Sequence, residues 1–550
     1  MHDSITSVKP AGLNCAGRQS GDDSQMRDFN ASGRSAAMAA NGMVATSQPR
    51  ATLAGLDVLR SGGNAMDAAI AAVAMQCVVE PESTGIGGDC FVLYSKKGAP
   101  PVAINGSGRA PAKATAEWYH ERQIHDIETQ TPHAVTVPGA VDAWCELNRE
   151  YGSKPLAELL EPAAKAAEEG WVVNQRVAYD WQRLGWKLED PVTASLFLKN
   201  GKPPVAGDTM RNPPLARTLR RIGKEGRGAF YEGAVAREIV ARLKSLGGLH
   251  EEADFANQRS EWVEPIHAGY RGYDVYEIPP NGQGLAALVL LNILERFDLA
   301  ALDPVGAERL HIQLEAARLA YAVRDTHFAD PAFMRTSVPA LLDKAFARGL
   351  ADRIDRGKRV ALPPAPSPGS HTVLVTVVDR DRTAVSLINS LFSTFGVGIA
   401  TETTGIMLHN RGHGFVVDPA HPNAIGPSKR PMHTIIPALA MRDGRCDLAF
   451  GVMGGHYQAM GHAHFVANLV DYGMDVQAAI DSPRVFFLGE DTEVERGVPA
   501  ATVEGLKARG HSIITRPSPL GGGQAIRIDW ERGVLIGGSD HRKDGCAIGY

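Results

Sequence analysis

The sequence contains no apolar run long enough to cross a membrane. Its longest apolar stretch, residues 65–79, is interrupted by Asp67 and Gln76, and its N-terminal residues show no apolar core of the kind found in secretory signals. A net charge of −5 gives no reason to expect binding to nucleic acid or to an anionic membrane. We therefore expect a protein without nucleic-acid or membrane partners, located in the cytoplasm.

The sequence also has no Cys-x-x-Cys pair. Its six cysteines lie far apart, which argues against a disulfide framework and against a cysteine-based zinc site. His462 and His464 are two residues apart on a predicted helix, so their side chains diverge and make a poor metal pair. We predict reduced, mostly buried thiols and no metal site.

The remaining composition is that of a large globular protein. The chain has 550 residues, of which 44% are hydrophobic and 22% charged. Residues 1–35 are low in apolar residues and are predicted to be a disordered tail. No internal repeat is found in the rest.

A junction between a linker and a hairpin is the most informative stretch. Residues 361–370 contain four prolines and cannot form a regular element, so they are predicted to be an exposed linker. Residues 372–379 are rich in β-branched residues and predict a strand, and residues 383–391 predict a second strand after a short turn. Thr372 therefore lies where a linker meets a buried hairpin.

A threonine at this position has two interpretations. A threonine hydroxyl is a nucleophile only beside a base, and its own α-amino group, with an ordinary pKa near 8, can be that base. This requires cleavage of the His371–Thr372 bond, which an upstream linker would permit. The alternative is structural, because a threonine often opens a strand after a loop rich in proline and serine.

The other predicted elements alternate between helices and antiparallel hairpins. Two helices are predicted in residues 50–80, and Asn64 is predicted to cap the second. A long helix is predicted in residues 305–325, and its charged residues are expected to form a solvent-exposed face. A hairpin is predicted in residues 435–452, followed by Gly454 and Gly455 at the start of a helix. Unpaired N–H groups at a helix start suit an oxyanion hole.

Several separated motifs resemble the γ-glutamyltransferase family of N-terminal-nucleophile (Ntn) hydrolases. They occur in the family's order over residues 36–550, and they are residues 62–69, 85–89, 110–114, 372–379, 393–398, 405–410, 426–431, 451–455 and 540–550. The periodicity itself indicates only a mixed α/β chain. The resemblance implies an α/β (α+β) fold of the four-layer αββα sandwich type.

The resemblance also implies self-cleavage and an acyl-enzyme mechanism. A large subunit, residues 36–371, and a small subunit, residues 372–550, would arise from one precursor. Thr372 would then supply both the nucleophilic hydroxyl and the α-amino base. No metal or organic cofactor is needed for acyl transfer through a threonine ester.

Three further residues receive roles from the resemblance. The N–H groups of Gly454 and Gly455 would bind the oxyanion, and the Ser390 hydroxyl would help to position the nucleophile. The alternative for Ser390 is an ordinary serine on a strand surface.

Departures from the family's pattern concern the substrate. Ser107 stands where γ-glutamyl enzymes have an arginine for the α-carboxylate, and Phe392 replaces an asparagine that serves the same carboxylate. Gly414 replaces the aspartate that meets the α-ammonium, and His433 and Thr434 replace a pair of serines. Each lost charged hydrogen bond is worth roughly 1.5–3 kcal/mol, so specificity for γ-glutamyl groups is expected to be weak.

The replacements favour a different acyl group. Arg109, Arg411, His413 and His433 offer positive or donor groups and no carboxylate, and Phe392 narrows the pocket. This set is expected to bind a small anionic acyl group without an ammonium, as in the oxamate amidohydrolase-like branch of the family or, for larger side chains, cephalosporin-type acylases. The alternative is that Arg109 and Arg411 form structural ion pairs.

Three hypotheses follow for the function. The first is a self-processing amidohydrolase for a small anionic, oxamate-like amide. The second is a γ-glutamyltransferase or glutathione hydrolase with a rearranged pocket. The third is an unprocessed binding protein that retains only the fold. The sequence leaves the oligomeric state open, including a homodimer of the processed heterodimer.

We predict cleavage at the His371–Thr372 bond, since the nucleophile must become a chain terminus. Intact-mass analysis of the purified protein should give two chains that separate at this bond. The Thr372→Ala variant should remain a single chain, because it has no hydroxyl to attack the preceding carbonyl. Activity in a wild-type protein that stays uncut would contradict the mechanism.

Overall fold

The computed structural model describes residues 32–361 and 372–550. Outside the described residues lie residues 1–31 of the predicted tail, residues 362–370 of the predicted linker, and His371. Residues 36–550 form a single unit. No helix in the described residues is long and apolar enough to span a bilayer, and a cytoplasmic location stays a prediction.

Strands in the described residues pair into two large sheets and two small ones. In chain order they are β1 (Ala37–Ala39), β2 (Met43–Thr46), β3 (Asp89–Ser95), β4 (Val102–Gly106), β5 (Trp171–Val172), β6 (Thr209–Met210), β7 (Glu261–Val263), β8 (Ile266–Tyr270), β9 (Tyr273–Glu277), β10 (Val373–Val378), β11 (Ala384–Ser390), β12 (Ala438–Arg442), β13 (Arg445–Met453), β14 (Val485–Leu488), β15 (Asp491–Val494), β16 (Ser512–Thr515), β17 (Gly522–Asp529), β18 (Val534–Ser539) and β19 (Cys546–Gly549).

The α-helices of the described residues lie mostly in the first two thirds of the chain. They are α1 (Pro49–Arg60), α2 (Ala65–Val79), α3 (Ala116–Glu121), α4 (Ala140–Tyr151), α5 (Leu156–Glu169), α6 (Gln175–Leu184), α7 (Pro191–Phe197), α8 (Pro213–Glu225), α9 (Gly228–Tyr231), α10 (Ala234–Ser245), α11 (Glu252–Asn257), α12 (Gly284–Leu294), α13 (Ala307–His327), α14 (Val338–Leu342), α15 (Lys344–Ala351), α16 (Tyr457–Val470), α17 (Val476–Asp481) and α18 (Ala500–Ala508).

The two large sheets stack face to face. One has the strand order β1-β18-β17-β13-β12-β9-β8 and the other β19-β2-β10-β11-β3-β4-β7. Strand β10 packs against β13 and β17 of the opposite sheet. Helices α1, α2 and α4 cover the outer face of the second sheet, and α12, α16 and α17 cover that of the first. The predicted αββα sandwich is confirmed.

Local signals in the sequence account for several of these elements. The side chain of Asn64 accepts a hydrogen bond from the N–H of Asp67, and the Asp67 carboxylate accepts one from the N–H of Asn64, so a capping box begins α2 at the predicted cap residue. The predicted hairpins β10–β11 and β12–β13 both form, the second around Asp443 and Gly444. The two central strands of the second sheet therefore follow directly from the β-branched stretch after residue 371.

The prediction of a solvated charged face on α13 was wrong. Arg309, Glu315 and Arg324 on this helix are each no more than 1% exposed. They are buried because partners from distant parts of the chain meet them; for example, Arg309 donates to His464 and Asn468 at 2.9 Å. Charged residues on a helix predict a solvent-exposed face. Here they are buried, because polar partners that are distant in the sequence form hydrogen bonds with them.

Asp89, the first residue of β3, joins the end of its sheet to two loops. Its Oδ1 accepts hydrogen bonds from the N–H groups of Gly108 and Gly139, each at 3.0 Å. Its Oδ2 accepts one from His433 Nε2 at 3.0 Å and lies 3.4 Å from His409 Nδ1. Burial alone would raise the pKa of Asp89, but the influence of His409, followed by the hydrogen bond from His433, outweighs burial and holds the pKa well below its usual value.

We predict that Asp89→Asn destabilises the protein, because the amide keeps the size of the side chain but loses its charge. The Asp89 carboxylate accepts from three buried donors, and an amide would leave at least one of them without an acceptor, which costs about 1–3 kcal/mol. The midpoint of thermal unfolding at pH 7 should therefore fall by several degrees. Since the pKa of Asp89 is depressed, its stabilisation is present above pH ~4 and is lost as the pH falls further. The difference between variant and wild type, measured by circular dichroism, should therefore shrink at pH 3; an equal difference at both pH values would contradict this.

Candidate active site

Thr372 lies directly before β10, opposite the last residue of β11. Val373 pairs with Asn389 in the antiparallel register, which places Thr372 across from Ser390. The two hydroxyl oxygens are 3.1 Å apart, within hydrogen-bond distance. Both side chains are buried. The hairpin itself therefore brings the predicted nucleophile and the predicted positioning hydroxyl together.

Gly454 and Gly455 follow β13, the strand of the opposite sheet that packs against β10. Both have left-handed backbone conformations, with φ of 127° and 60°. A side chain at Gly454 would also approach Gly521 Cα to 2.9 Å. Within the described part of the chain, the N–H groups of both glycines form no hydrogen bond. They are available donors beside the predicted nucleophile.

A small cavity connects Thr372 with Gly454, the first residue of the glycine pair. Thr372 and Gly454 both line it, together with the basic residues Arg176, Arg516 and Lys543. The arrangement matches the geometry of acyl transfer, in which a hydroxyl and oxyanion donors face one reacting carbonyl.

Gln283 fixes the position of the glycine pair. Its Nε2 donates to the carbonyl oxygens of Thr434, at 2.7 Å, and Gly455, at 3.0 Å. Its Oε1 accepts a hydrogen bond from Arg324 Nη1 at 2.8 Å. Sequence analysis missed Gln283, since no local signal in the loop before α12 points to these distant partners.

Arg411 lies beside the Thr372–Ser390 pair. Its Nη1 donates to Thr434 Oγ1 at 2.8 Å, its Nη2 lies 3.5 Å from Ser390 Oγ, and its guanidinium stacks 4.2 Å from the centre of the Phe392 ring. Arg411 is fully buried, and burial lowers its pKa to about 9, against the opposing influence of Asp89. It thus remains a cation at neutral pH.

No carboxylate oxygen from residues 32–361 or 372–550 lies within 4.0 Å of the Arg411 guanidinium. A buried cation without a paired anion is costly. Its donors are partly satisfied by hydroxyl groups, but its Nε has no hydrogen-bond partner among the described residues. Arg411 is therefore equipped to bind an anion that enters the site.

Arg109 has a different environment. Its Nη2 forms an ion pair with Glu261 at 2.6 Å, its Nη1 donates to the carbonyl oxygen of Ser428 at 3.0 Å, and Asp330 lies 3.8 Å away. Of the two arginines weighed as carboxylate ligands, Arg109 makes the structural ion pair and Arg411 does not.

The remaining predicted substrate residues fall into two groups. His413 and Thr434 belong with Phe392 and Arg411; the rings of His413 and Phe392 are 6.2 Å apart, and His413 Nδ1 donates to the carbonyl oxygen of Ile127. We call Ser390, Phe392, Arg411, His413 and Thr434 the Arg411 cluster.

Ser107 and His433 are also buried, but both side chains are engaged in structural hydrogen bonds. The Ser107 hydroxyl donates to Asn105 Oδ1 at 2.7 Å. His433 donates to Asp89, and burial together with Arg411 lowers its pKa to about 3, so it is neutral. The roles assigned to all of these residues in substrate binding stay predictions.

One group of side chains in the described residues has the composition of a metal site. His311, Glu315 and His511 have donor atoms within 4.8 Å of one another. However, His311 Nδ1 and His511 Nε2 are hydrogen-bonded at 2.8 Å, and Arg318 forms an ion pair with Glu315 at 2.7 Å. The two histidines thus bind each other and Glu315 binds Arg318, so these side chains already have protein partners.

Comparison with known proteins agrees with this geometry. The family model described as Gamma-glutamyltranspeptidase matches residues 51–550. The chain is 38% identical to the glutathione hydrolase-like YwrD proenzyme of Bacillus subtilis, over 92% of this chain and 98% of that protein. It is 33% identical to the oxamate amidohydrolase proenzyme of Klebsiella pneumoniae, over 93% and 98%.

A solved structure extends the similarity to the whole fold. The cephalosporin acylase from Bacillus halodurans superimposes with a TM-score of 0.89 at 40% identity, and the match covers 96% of this chain and 99% of that one. Family model, relatives and fold agree over nearly the full length. The chain belongs to the gamma-glutamyltranspeptidase family and is an enzyme of the Ntn-hydrolase class.

Proposed function

We propose that this enzyme cleaves itself before Thr372 and then hydrolyses the amide bond of a small anionic, oxamate-like substrate. The observation that carries the proposal is Arg411, a buried cation that lies beside the Thr372–Ser390 pair and has no carboxylate partner in the described residues. A substrate carboxylate would supply the missing anion.

The reaction follows from the groups around Thr372. Its hydroxyl oxygen attacks the amide carbon while the freed α-amino group takes the proton. The N–H groups of Gly454 and Gly455 hold the oxyanion, which can lower the barrier by a few kcal/mol. When the C–N bond breaks, the α-ammonium returns the proton to the leaving amine. Water then hydrolyses the ester, and the same amine again serves as base, so that the acid is released and Thr372 is restored.

The charges of the site select against an amino-acid head group. The Arg411 cluster contains one arginine, one histidine and two hydroxyls, but no carboxylate. A desolvated ammonium would have no counter-ion there, which is costly. An acyl group that carries a carboxylate and no ammonium avoids this cost. Gly414, at the position of the family's aspartate, has no side chain that could restore the anion.

The name of one similar protein, the oxamate amidohydrolase of Klebsiella pneumoniae, supports this class of substrate, and a second name, the cephalosporin acylase of Bacillus halodurans, supports hydrolysis of an amide. The second would favour a larger acyl or leaving group. The competing hypothesis, a glutathione hydrolase or γ-glutamyltransferase, is favoured by the name of the Bacillus subtilis relative. Family membership sets aside the hypothesis of an unprocessed binding protein.

We expect the fully processed enzyme to turn over oxamate with a higher kcat/KM than glutathione, because glutathione brings an uncompensated ammonium into the site. The measurement is steady-state hydrolysis of both compounds by the same preparation, with cleavage verified by mass. A tenfold or larger preference for glutathione would overturn the proposal in favour of the γ-glutamyl hypothesis.

A matched pair of variants tests which arginine binds the carboxylate. Arg411→Met should raise KM for oxamate by tenfold or more, the scale of losing one charged hydrogen bond of about 1.5–3 kcal/mol. Arg109→Met removes an arginine that is already paired with Glu261, and KM should stay within about twofold. Both variants must still self-cleave. The opposite result would assign the carboxylate to Arg109.

A further inference from the structure

His456 follows the glycine pair and is held in one protonation state by Arg324. The Nη1 of Arg324 lies 2.9 Å from His456 Nδ1. An arginine nitrogen can only donate, so Nδ1 must accept with its lone pair. In the neutral ring the hydrogen is therefore on Nε2. Arg324 in this way fixes the tautomer of a histidine next to the oxyanion donors.

The surroundings also keep this ring neutral. Burial, followed by the positive charge of Arg324, then Arg411 and His413, holds the pKa of His456 well below its usual value. Asp325, the nearest acidic neighbour on α13, is engaged by Arg324 at 2.7 Å. The groups that influence the ring from α13 and from residues 411–414 are mainly cationic. Their positive charge opposes protonation of the His456 ring.

The position of the ring is fixed through the same network. The Tyr321 hydroxyl donates to the carbonyl oxygen of His456. Arg324 Nη1 also donates to Gln283 Oε1, and Gln283 holds the carbonyl oxygen of Gly455. One buried arginine therefore orients both the imidazole ring and the glycine loop. A shift of the His456 ring would therefore also move the loop of Gly454 and Gly455, and a shift of the loop would move the ring.

His456 Nε2, unlike Nδ1, has no protein partner among the described residues. Within the described part of the chain it forms no hydrogen bond, and it retains some accessible surface. The ring stands edge-on to Phe392, with centroids 6.3 Å apart, and Phe392 in turn stacks against Arg411. The imidazole ring thus borders Phe392 of the Arg411 cluster, and its Nε2–H has no acceptor among the described residues.

We propose that His456 is a specificity-determining residue whose Nε2–H donates to an oxygen of the bound acyl group. A donor that cannot accept admits a carboxylate or carbonyl oxygen and disfavours an ammonium, which needs an acceptor. Together with Arg411 it would hold the anionic end of the acyl group from two sides. The inference rests on the proposed function and adds a second ligand for the same carboxylate.

The test compares His456→Phe, which keeps the ring but removes the donor, with His456→Gln, which keeps an N–H donor. For self-cleaved enzyme, kcat/KM should be measured with oxamate and with p-nitroacetanilide, whose acyl group carries no carboxylate. We expect His456→Phe to lower the value for oxamate by tenfold or more and to change that for the acetyl compound by less than threefold, whereas His456→Gln retains most of the oxamate activity. A parallel loss with both substrates, or no loss with either, would overturn the proposal.

A second measurement does not depend on any substrate. In ¹⁵N-histidine-labelled enzyme, the signals of His456, identified by their loss in His456→Phe, should report a neutral ring with hydrogen on Nε2 from pH 5 to pH 8. Titration within that range, or hydrogen on Nδ1, would overturn the inference. If instead the wild-type enzyme prefers glutathione while the ring remains neutral, the proposed function fails and the tautomer assignment stands.

Discussion

The register between β10 and β11 is the constraint on which the site depends. It sets Thr372 opposite Ser390, and the packing of β10 against β13 brings Gly454 to the same cavity. A shift by one residue would turn the Thr372 hydroxyl to the other face of the sheet. The relative positions of Thr372, Ser390 and Gly454, which carry the proposed mechanism, therefore depend on a single hairpin alignment between two buried sheets.

Around this hairpin, charge is distributed unevenly. On one side, the Asp89 carboxylate is surrounded by His409, His433 and two backbone N–H groups, and these fixed partners hold its loop contacts together. On the other side, Arg411 is buried with only hydroxyl partners. Native proteins retain such an uncompensated charge mainly at functional sites, where a ligand completes the pair. We therefore interpret the asymmetry as preorganisation for an anionic acyl group.

Part of this arrangement could be predicted from the sequence. The β-branched stretch after residue 371 and the Asn64 cap are local signals, and both gave the correct elements. The four layers came from the family resemblance, since periodicity alone indicates only a mixed chain. Gln283, Arg324 and the tautomer of His456 could not be predicted, because each depends on partners 41 to 172 residues away. As a charged residue, Arg324 was expected to be exposed to solvent. It is buried because acceptors that are distant in the sequence, on Gln283 and His456, bind its N–H groups.

We propose that the site binds a carboxylate and rejects an ammonium. The most direct test is kcat/KM for two matched pairs of anilides that differ only in the α-ammonium group: glutaryl- against γ-glutamyl-p-nitroanilide, and succinyl- against β-aspartyl-p-nitroanilide. Using two chain lengths separates the effect of charge from that of size beside Phe392. We predict that the compound without the ammonium is preferred by tenfold or more in at least the better-bound pair. A preference for the ammonium-bearing compound at both lengths would contradict it.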